Sequence, residues 1–230
     1  MTFQVTLWIE LVAAGLGGLQ GALFAAGQRD RRIDVLGVIV IGLTVSLGGS
    51  LLRDIVLNQS PVVIWGDWYL LVAALSALVG MALQPLLSRT EWMITVLDAV
   101  VMGIFGAIGA SKALSLGVGI PGAIVVGVIG AIGGGVLRDL ILNRPISILH
   151  VGTHYAVAAG AGAGVLVGLV QFGVTVPIAG IIAVAVTTMV RLAAVRFRWT
   201  FPEQRAASIR VRTRTRRRPA MSSQEEGEQQ

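Results

Sequence analysis

The stretch Leu47-Gly-Gly-Ser-Leu-Leu-Arg-Asp-Ile-Val-Leu-Asn58 occurs a second time, 85 residues later, as Ile132-Gly-Gly-Gly-Val-Leu-Arg-Asp-Leu-Ile-Leu-Asn143. Each copy combines three small residues with an adjacent Arg–Asp pair and an aliphatic flank. Charged residues inside an apolar segment are costly unless the structure compensates for them. The repetition of such a pair at matching positions therefore predicts a duplicated structural unit.

The composition indicates an integral membrane protein. Hydrophobic residues make up 55% of the 230 residues and charged residues only 13%, about half of the roughly 25% found in soluble domains. The mean hydropathy of +0.81 points the same way. These values exclude a disordered chain and make a soluble globule a poor fit. The sequence contains no cysteine, which excludes disulfides, a thiolate zinc site and a cysteine nucleophile.

Seven apolar segments are long enough to cross the membrane, which requires roughly 20 helical residues. We expect them at about residues 7–26, 35–57, 68–87, 92–111, 117–142, 152–170 and 174–195. A helix is preferred to a strand in each case, because a lone strand in lipid leaves its backbone polar groups unpaired. The sequence therefore predicts an all-α polytopic membrane protein with seven transmembrane helices.

The distribution of basic residues predicts the orientation. The connectors 27–34, 88–91 and 143–151 and the C-terminal tail share one side and carry nearly all of the Lys and Arg outside the spans, whereas the other side carries only Lys112. The positive-inside rule then places the N-terminus outside and the C-terminus in the cytoplasm of the cell membrane. The Arg-rich tail, residues 200–230, is expected to be disordered and to contact anionic lipid rather than nucleic acid.

The duplication extends over three spans. Gly37 and Gly42 match Gly122 and Gly127 at the same offset of 85, and the first and fourth spans align at an offset of 88. A unit of three spans crosses the membrane in the opposite sense in its second copy. We therefore divide the chain into a first three-helix repeat (1–90), a second, inverted three-helix repeat (91–172), a seventh transmembrane helix (173–199) and the tail (200–230). Inverted repeats place transport sites near the bilayer midplane.

Ionisable residues inside the spans are the strongest functional signal, because they are expensive in lipid. By their depth along the spans, Glu10, Arg53 and Asp54 fall in the outer half of the membrane. Their counterparts in the second repeat, Asp98, Arg138 and Asp139, fall in the inner half.

Neighbouring helical residues point about 100° apart, so each arginine is expected to pair across helices. Arg53 is paired with Glu10 and Arg138 with Asp98, which leaves Asp54 or Asp139 to face an ion path. Each set then sums to −1 and favours cations, and Lys112 on the outer connector partly opposes the outer set. The alternative is that the ion pairs only hold helices together.

The small-residue triplets Gly48, Gly49, Ser50 and Gly133, Gly134, Gly135 predict a kink or an unwound turn. Glycine destabilises a helix interior by about 1 kcal/mol relative to alanine. Carbonyls freed at such a break can face water and bind a dehydrated cation. The alternative is close helix packing, which small residues also permit.

With Gly109-Ala-Ser-Lys112-Ala between them, the two Arg–Asp motifs resemble the trimeric intracellular cation (TRIC) channel family. The similarity is greatest to its prokaryotic branch, also described as glycine transporters or UPF0126 membrane proteins, and it covers about residues 5–200. It implies a homotrimer with one pore per subunit, lined by the kinked second and fifth helices. Ser50 departs from the pattern, since that copy more often has a third glycine.

The sequence and this resemblance together predict a passive channel for a monovalent cation, K⁺ or Na⁺, with K⁺ favoured, and no enzyme activity, cofactor or resident metal. His150 and His154 are expected to be interfacial rather than metal ligands, because no third ligand accompanies them. Two alternatives stay open: a secondary transporter of glycine or another small solute, which needs two gates and a coupling ion, and a purely structural membrane protein. The ion pathway is predicted to involve both triplets and both Arg–Asp pairs, supported by the charges of Glu10, Asp98 and Lys112.

Overall fold

The computed structural model describes residues 7–28, 33–87, 91–146 and 155–199, and within these ranges the chain is helical with short connections and no strand. Six of its helices are long and apolar enough to cross a membrane, and a seventh, with 17 residues, is slightly shorter. The elements are α1 (Leu7–Ala26), α2 (Val35–Val56), α3 (Val62–Trp65), α4 (Asp67–Leu87), α5 (Glu91–Ser115), α6 (Ile120–Ile141), α7 (Tyr155–Gln171) and α8 (Val176–Arg196).

The protein is thus an all-α polytopic membrane protein, as predicted. Two details differ from the predicted spans. The four-residue helix α3 was not foreseen, and α5 continues to Ser115, which puts Lys112 in its last turn rather than in a connector. The tail and the pair His150 and His154 lie outside the described residues, so their predictions are untested.

The helices pack through small residues and turn their large ones outward. Alanines such as Ala22, Ala73 and Ala163 are almost completely buried, whereas Leu36 and Ile181 are exposed. This distribution suits lipid, which is as apolar as leucine and so gives large side chains no reason to turn inward. In each repeat the first helix packs along the second, α1 on α2 and α5 on α6, while α8 packs on α5 and α7.

The two glycine triplets meet where α2 crosses α6. A Cβ built on Gly49 would overlap the carbonyl oxygen of Gly130, and one built on Gly134 would overlap that of Val45. Because a later residue of α2 meets an earlier residue of α6, the two helices run antiparallel, as an inverted repeat requires.

Both helices remain continuous through the triplets. The expected unwound turn is therefore wrong for this structure, and the packing alternative describes what the small residues do here. The hydroxyl of Ser50 donates within the helix to the carbonyl of Leu47, at 2.8 Å.

The repeated asparagines end both helices in the same way. Asn58 and Asn143 adopt positive φ values of 51° and 44°. Beyond them, the Gln59 amide donates to the Asp54 carbonyl and the Arg144 amide to the Asp139 carbonyl, each at 2.8 Å. This is the Schellman arrangement, and asparagine tolerates the left-handed conformation better than other residues with a Cβ, which explains why both motifs end in it.

We expect Asn143→Val to lower the thermal stability of the purified protein, because a β-branched residue in the left-handed region costs about 1–2 kcal/mol. Asn143→Gly is the matched control and should unfold at or above the wild-type temperature. Equal melting temperatures for the two variants would show that this helix end does not limit stability.

Candidate functional site

Asp54 is the centre of a buried ionic cluster at the C-terminal end of α2. Its Oδ1 accepts from Arg53 Nε at 2.7 Å and from Lys112 Nζ at 2.9 Å, and its Oδ2 accepts from the Val62 amide at 3.2 Å. The side chain has no exposed surface. We call Glu10, Arg53, Asp54, Tyr69 and Lys112 the first-repeat cluster.

A second cluster occupies the corresponding end of α6. Arg138 donates to Asp139 Oδ1 from Nε at 3.0 Å and from Nη2 at 2.9 Å. The Arg138 guanidinium also stacks on the ring of Phe24, 3.8 Å from its centroid. Phe24 is the repeat equivalent of Lys112, 88 residues earlier. The second-repeat cluster comprises Asp98, Arg138, Asp139, Tyr155 and Arg191.

The structure corrects part of the predicted pairing between the arginines and the carboxylates. Each arginine folds back onto the aspartate beside it, because its long side chain spans the 100° between neighbouring positions. Arg53 also lies 3.9 Å from Glu10, so that pair is present as a longer contact. The Arg138–Asp98 pair is wrong, since the cation beside Asp98 is Arg191, at 3.8 Å.

Two tyrosines hold the remaining carboxylates, and the sequence analysis missed both. Tyr69 donates to Glu10, and Tyr155 donates to Asp98 at 2.7 Å. Gln20 donates to the same oxygen of Asp98 at 2.5 Å. The tyrosines lie 86 residues apart, within the range of the repeat offsets, and this spacing could have revealed them.

The predicted net charges were also wrong. Lys112 reaches into the first cluster and Arg191 into the second, so each cluster contains two carboxylates and two cations and is neutral. The free carboxylates were misassigned as well, because Asp54 and Asp139 are almost fully buried. Glu10 and Asp98 retain more exposure, with 14% of each side chain accessible.

Each cluster borders a cavity. The first cavity is lined in part by Glu10, Ser50, Arg53 and Tyr69. The second is lined in part by Gln20, Asp98, Gly134, Gly135 and Tyr155. Each is narrow, with room for about one water molecule. Phe105 lines both cavities.

The predicted pathway residues thus separate into two groups. The residues that line a cavity are Glu10, Ser50 and Arg53 in the first and Asp98, Gly134 and Gly135 in the second. The others do not line either cavity and lie in the helix crossing or in the ionic clusters: Gly48, Gly49, Gly133, Asp54, Lys112, Arg138 and Asp139. Among the described residues, no group of three His, Cys, Asp or Glu side chains is placed to hold a metal ion.

Comparison with known protein families gives a match in both halves of the chain. A family model described as "Glycine transporter" matches residues 7–85 and 95–171. The UPF0126 inner membrane protein YadS of Escherichia coli K12 is 33% identical over 203 residues, which cover 86% of this chain and 96% of YadS. A UPF0126 membrane protein of Deinococcus radiodurans is 34% identical over 159 residues, or 68% of this chain and 73% of that protein.

Two solved structures share the fold. A chain from a study of conductance through TRIC cation channels superposes with a TM-score of 0.76 at 27% identity, covering 88% of this chain and 98% of its own length. A TRIC trimeric intracellular cation channel orthologue from Rhodobacter sphaeroides gives a TM-score of 0.75 at 28% identity, with coverages of 83% and 96%.

Proposed function

Since the chain belongs to the UPF0126 family, the prokaryotic branch of the TRIC channel family, we propose that it is a cation channel that conducts passively, most simply K⁺, through a pathway inside each subunit. The observation that carries this proposal is the pair of cavities on either side of Phe105. Each is lined by an acidic residue from an equivalent position, Glu10 in the first and Asp98 in the second.

The arrangement of charged side chains in the two clusters favours the passage of cations. Lys112 and Arg138 are bound to the buried aspartates Asp54 and Asp139 and line neither cavity. Tyr69 and Tyr155 each donate a hydrogen bond to a cavity carboxylate, which fixes the position of that carboxylate. Although each cluster is neutral, a carboxylate lines each cavity, so that a cation that enters either cavity meets a negative charge.

The two cavities are not equivalent, and the difference between them ranks Glu10 and Asp98 by their expected effect on cation selectivity. The Arg53 guanidinium lines the first cavity beside Glu10, whereas Arg191, 3.8 Å from Asp98, is not among the described residues that line the second cavity. Local repulsion by Arg53 weakens the attraction for cations in the first cavity. Asp98 should therefore contribute more to selectivity than Glu10.

We expect Asp98→Asn to lower cation-over-anion permeability by about fivefold, since removing a unit charge near an ion costs on the order of 1 kcal/mol in a wet cavity. Glu10→Gln should have a smaller effect. Asp67→Asn, an exposed carboxylate in the first turn of α4, is the matched control and should have none. The measurement is the reversal potential across a KCl gradient, and a larger effect at Glu10 than at Asp98 would contradict the ranking.

Purified protein in planar bilayers tests the proposed function itself. Single-channel currents that reverse at the K⁺ equilibrium potential are the expected result. Protein that is folded and inserted but carries no such current would refute the channel.

Transport of a small zwitterion is the second candidate, and one feature of the first cavity favours it. Arg53 Nη2 has no hydrogen-bond partner among the described residues and lies 3.9 Å from a Glu10 oxygen. A guanidinium beside a carboxylate complements the two ends of an amino acid such as glycine. Saturable uptake of labelled glycine, without K⁺ currents, would favour this function over the channel.

The proposed assembly and placement follow from the family and the charge count. We propose a homotrimer in the cell membrane, with the N-terminus outside and the C-terminus in the cytoplasm. In this orientation the first cavity opens outward and the second inward. The basic tail is proposed to contact anionic lipid, with no cofactor apart from the permeant monovalent cation, K⁺ or Na⁺.

A further inference from the structure

Phe105 separates the two cavities. Its side chain is 7% exposed and contributes to the lining of both. Ala13, Val101 and Ile108 pack with it in one buried apolar cluster. A route from one cavity to the other therefore meets the Phe105 ring, which packs with these apolar side chains.

The internal repeat explains why this residue lies near the middle of the membrane. Gly17 is the repeat equivalent of Phe105, 88 residues earlier, and the two are neighbours: a Cβ built on Gly17 would lie 3.3 Å from Phe105 Cε2. Gly49 and Gly134 are also equivalent, and they too meet, since a Cβ on Gly49 would lie 3.5 Å from the Gly134 nitrogen. Residues that a two-fold axis exchanges can touch only beside that axis, and in an inverted repeat the axis lies in the membrane plane.

Gly17 and Phe105 occupy equivalent positions beside this axis, but only Phe105 carries a side chain. Gly17 leaves no room for a side chain of its own, because a Cβ there would lie 2.8 Å from the Ser46 Cα. A single ring therefore occupies the space between the cavities. The backbone that carries it is held close to α6, where a Cβ built on Gly130 would lie 3.2 Å from the Phe105 carbonyl oxygen.

We propose that the Phe105 ring is the seal of the ion pathway, closed when it lies between the cavities and open when it moves aside. The proposal rests on the channel function argued above. A narrow apolar constriction stops ions by excluding water, without the need for a charged plug. Moving one ring aside joins the two cavities into a continuous path for water and ions.

Cysteine accessibility tests the seal independently of conduction. The chain has no cysteine of its own, so Ser50→Cys reports on the first cavity and Gly135→Cys on the second. These positions are repeat equivalents, and a Cβ on Gly135 meets nothing closer than 3.7 Å. In oriented vesicles, a charged thiosulfonate that cannot cross the membrane should modify each cysteine from one side only.

In a Phe105→Ala background, modification from the far side should accelerate by roughly tenfold or more, because the dry barrier is gone. Ile104→Ala is the matched control: this neighbouring residue packs against the same cluster but lines neither cavity. Far-side rates that stay at the wild-type value in Phe105→Ala would overturn the seal. If that variant does not fold, Phe105→Ser is the second test, because a small polar side chain also removes the apolar barrier and should give the same acceleration.

Flux measurements separate the seal from the channel. Higher K⁺ flux through Phe105→Ala than through the wild type supports both. Equal, nonzero flux in the two proteins overturns the seal and leaves the channel standing. Faster far-side modification without K⁺ flux in either protein supports the seal as a water barrier and refutes the channel.

Discussion

Gly134→Ala should prevent the protein from folding to its native structure. A Cβ at this position would overlap the carbonyl oxygen of Val45 on α2. The oxygen is a backbone atom and the backbone fixes the position of the Cβ, so no side-chain rotation relieves the clash and the two helices must separate. Overpacking a well-packed core typically costs 1–3 kcal/mol, and here we expect about 3 kcal/mol or more because a whole helix pair must move.

Gly135→Ala provides the control within the same triplet. A Cβ there has its nearest neighbour, the Tyr155 hydroxyl, at an ordinary 3.7 Å. Gly49→Ala should behave like Gly134→Ala, since its Cβ would overlap the Gly130 carbonyl oxygen. Melting temperature and size-exclusion profile in detergent measure the effect. If Gly134→Ala proves as stable as Gly135→Ala, the helix crossing is not as close as described here.

Asp54→Asn should be severely destabilising, although the sequence alone suggested an effect on selectivity. The substitution leaves the Arg53 and Lys112 cations around a neutral amide that itself has no exposed surface. Removing one partner of a buried ion pair costs about 3–5 kcal/mol. We expect a large drop in melting temperature, or no recoverable protein.

A compensating change distinguishes this explanation from a simple loss of packing. Asp54→Asn combined with Lys112→Gln removes one negative and one positive charge, and should recover much of the lost stability. Asp139→Asn is the repeat-equivalent comparison and should cost less, because the ring of Phe24 still stabilises the Arg138 cation. Failure of the double variant to exceed the single one in melting temperature would show that Lys112 is not coupled to Asp54.

Much of the architecture could be predicted because the bilayer imposes it. The spans are set by the length of apolar sequence needed to cross the hydrocarbon, and α1, α2 and α6 fall within one or two residues of the predicted bounds at most ends. The duplication was visible because both copies preserve the Arg–Asp pair and the helix-ending asparagine at matching positions.

The intramembrane charges of the candidate site could be predicted, but several of their partners could not. Glu10, Asp98 and Arg53 were identified because ionisable residues in an apolar span are costly unless they have a role there. Their partners were not, because the choice of partner depends on which helix ends meet. Arg191 lies in α8, outside the repeat, and the symmetry of the two copies gave no reason to place it beside Asp98.

The sequence by itself determined the number of spans, the inverted duplication and the positions of the buried charges, because these depend on local hydropathy and on comparison of the chain with itself. Tertiary structure alone decided that the glycines of α2 and α6 serve close packing, that each arginine binds its neighbouring aspartate, and that Phe105 meets Gly17 between two cavities. Those outcomes depend on distances of a few ångströms between helices, and helix separation is set by the packing of all the contacting side chains together.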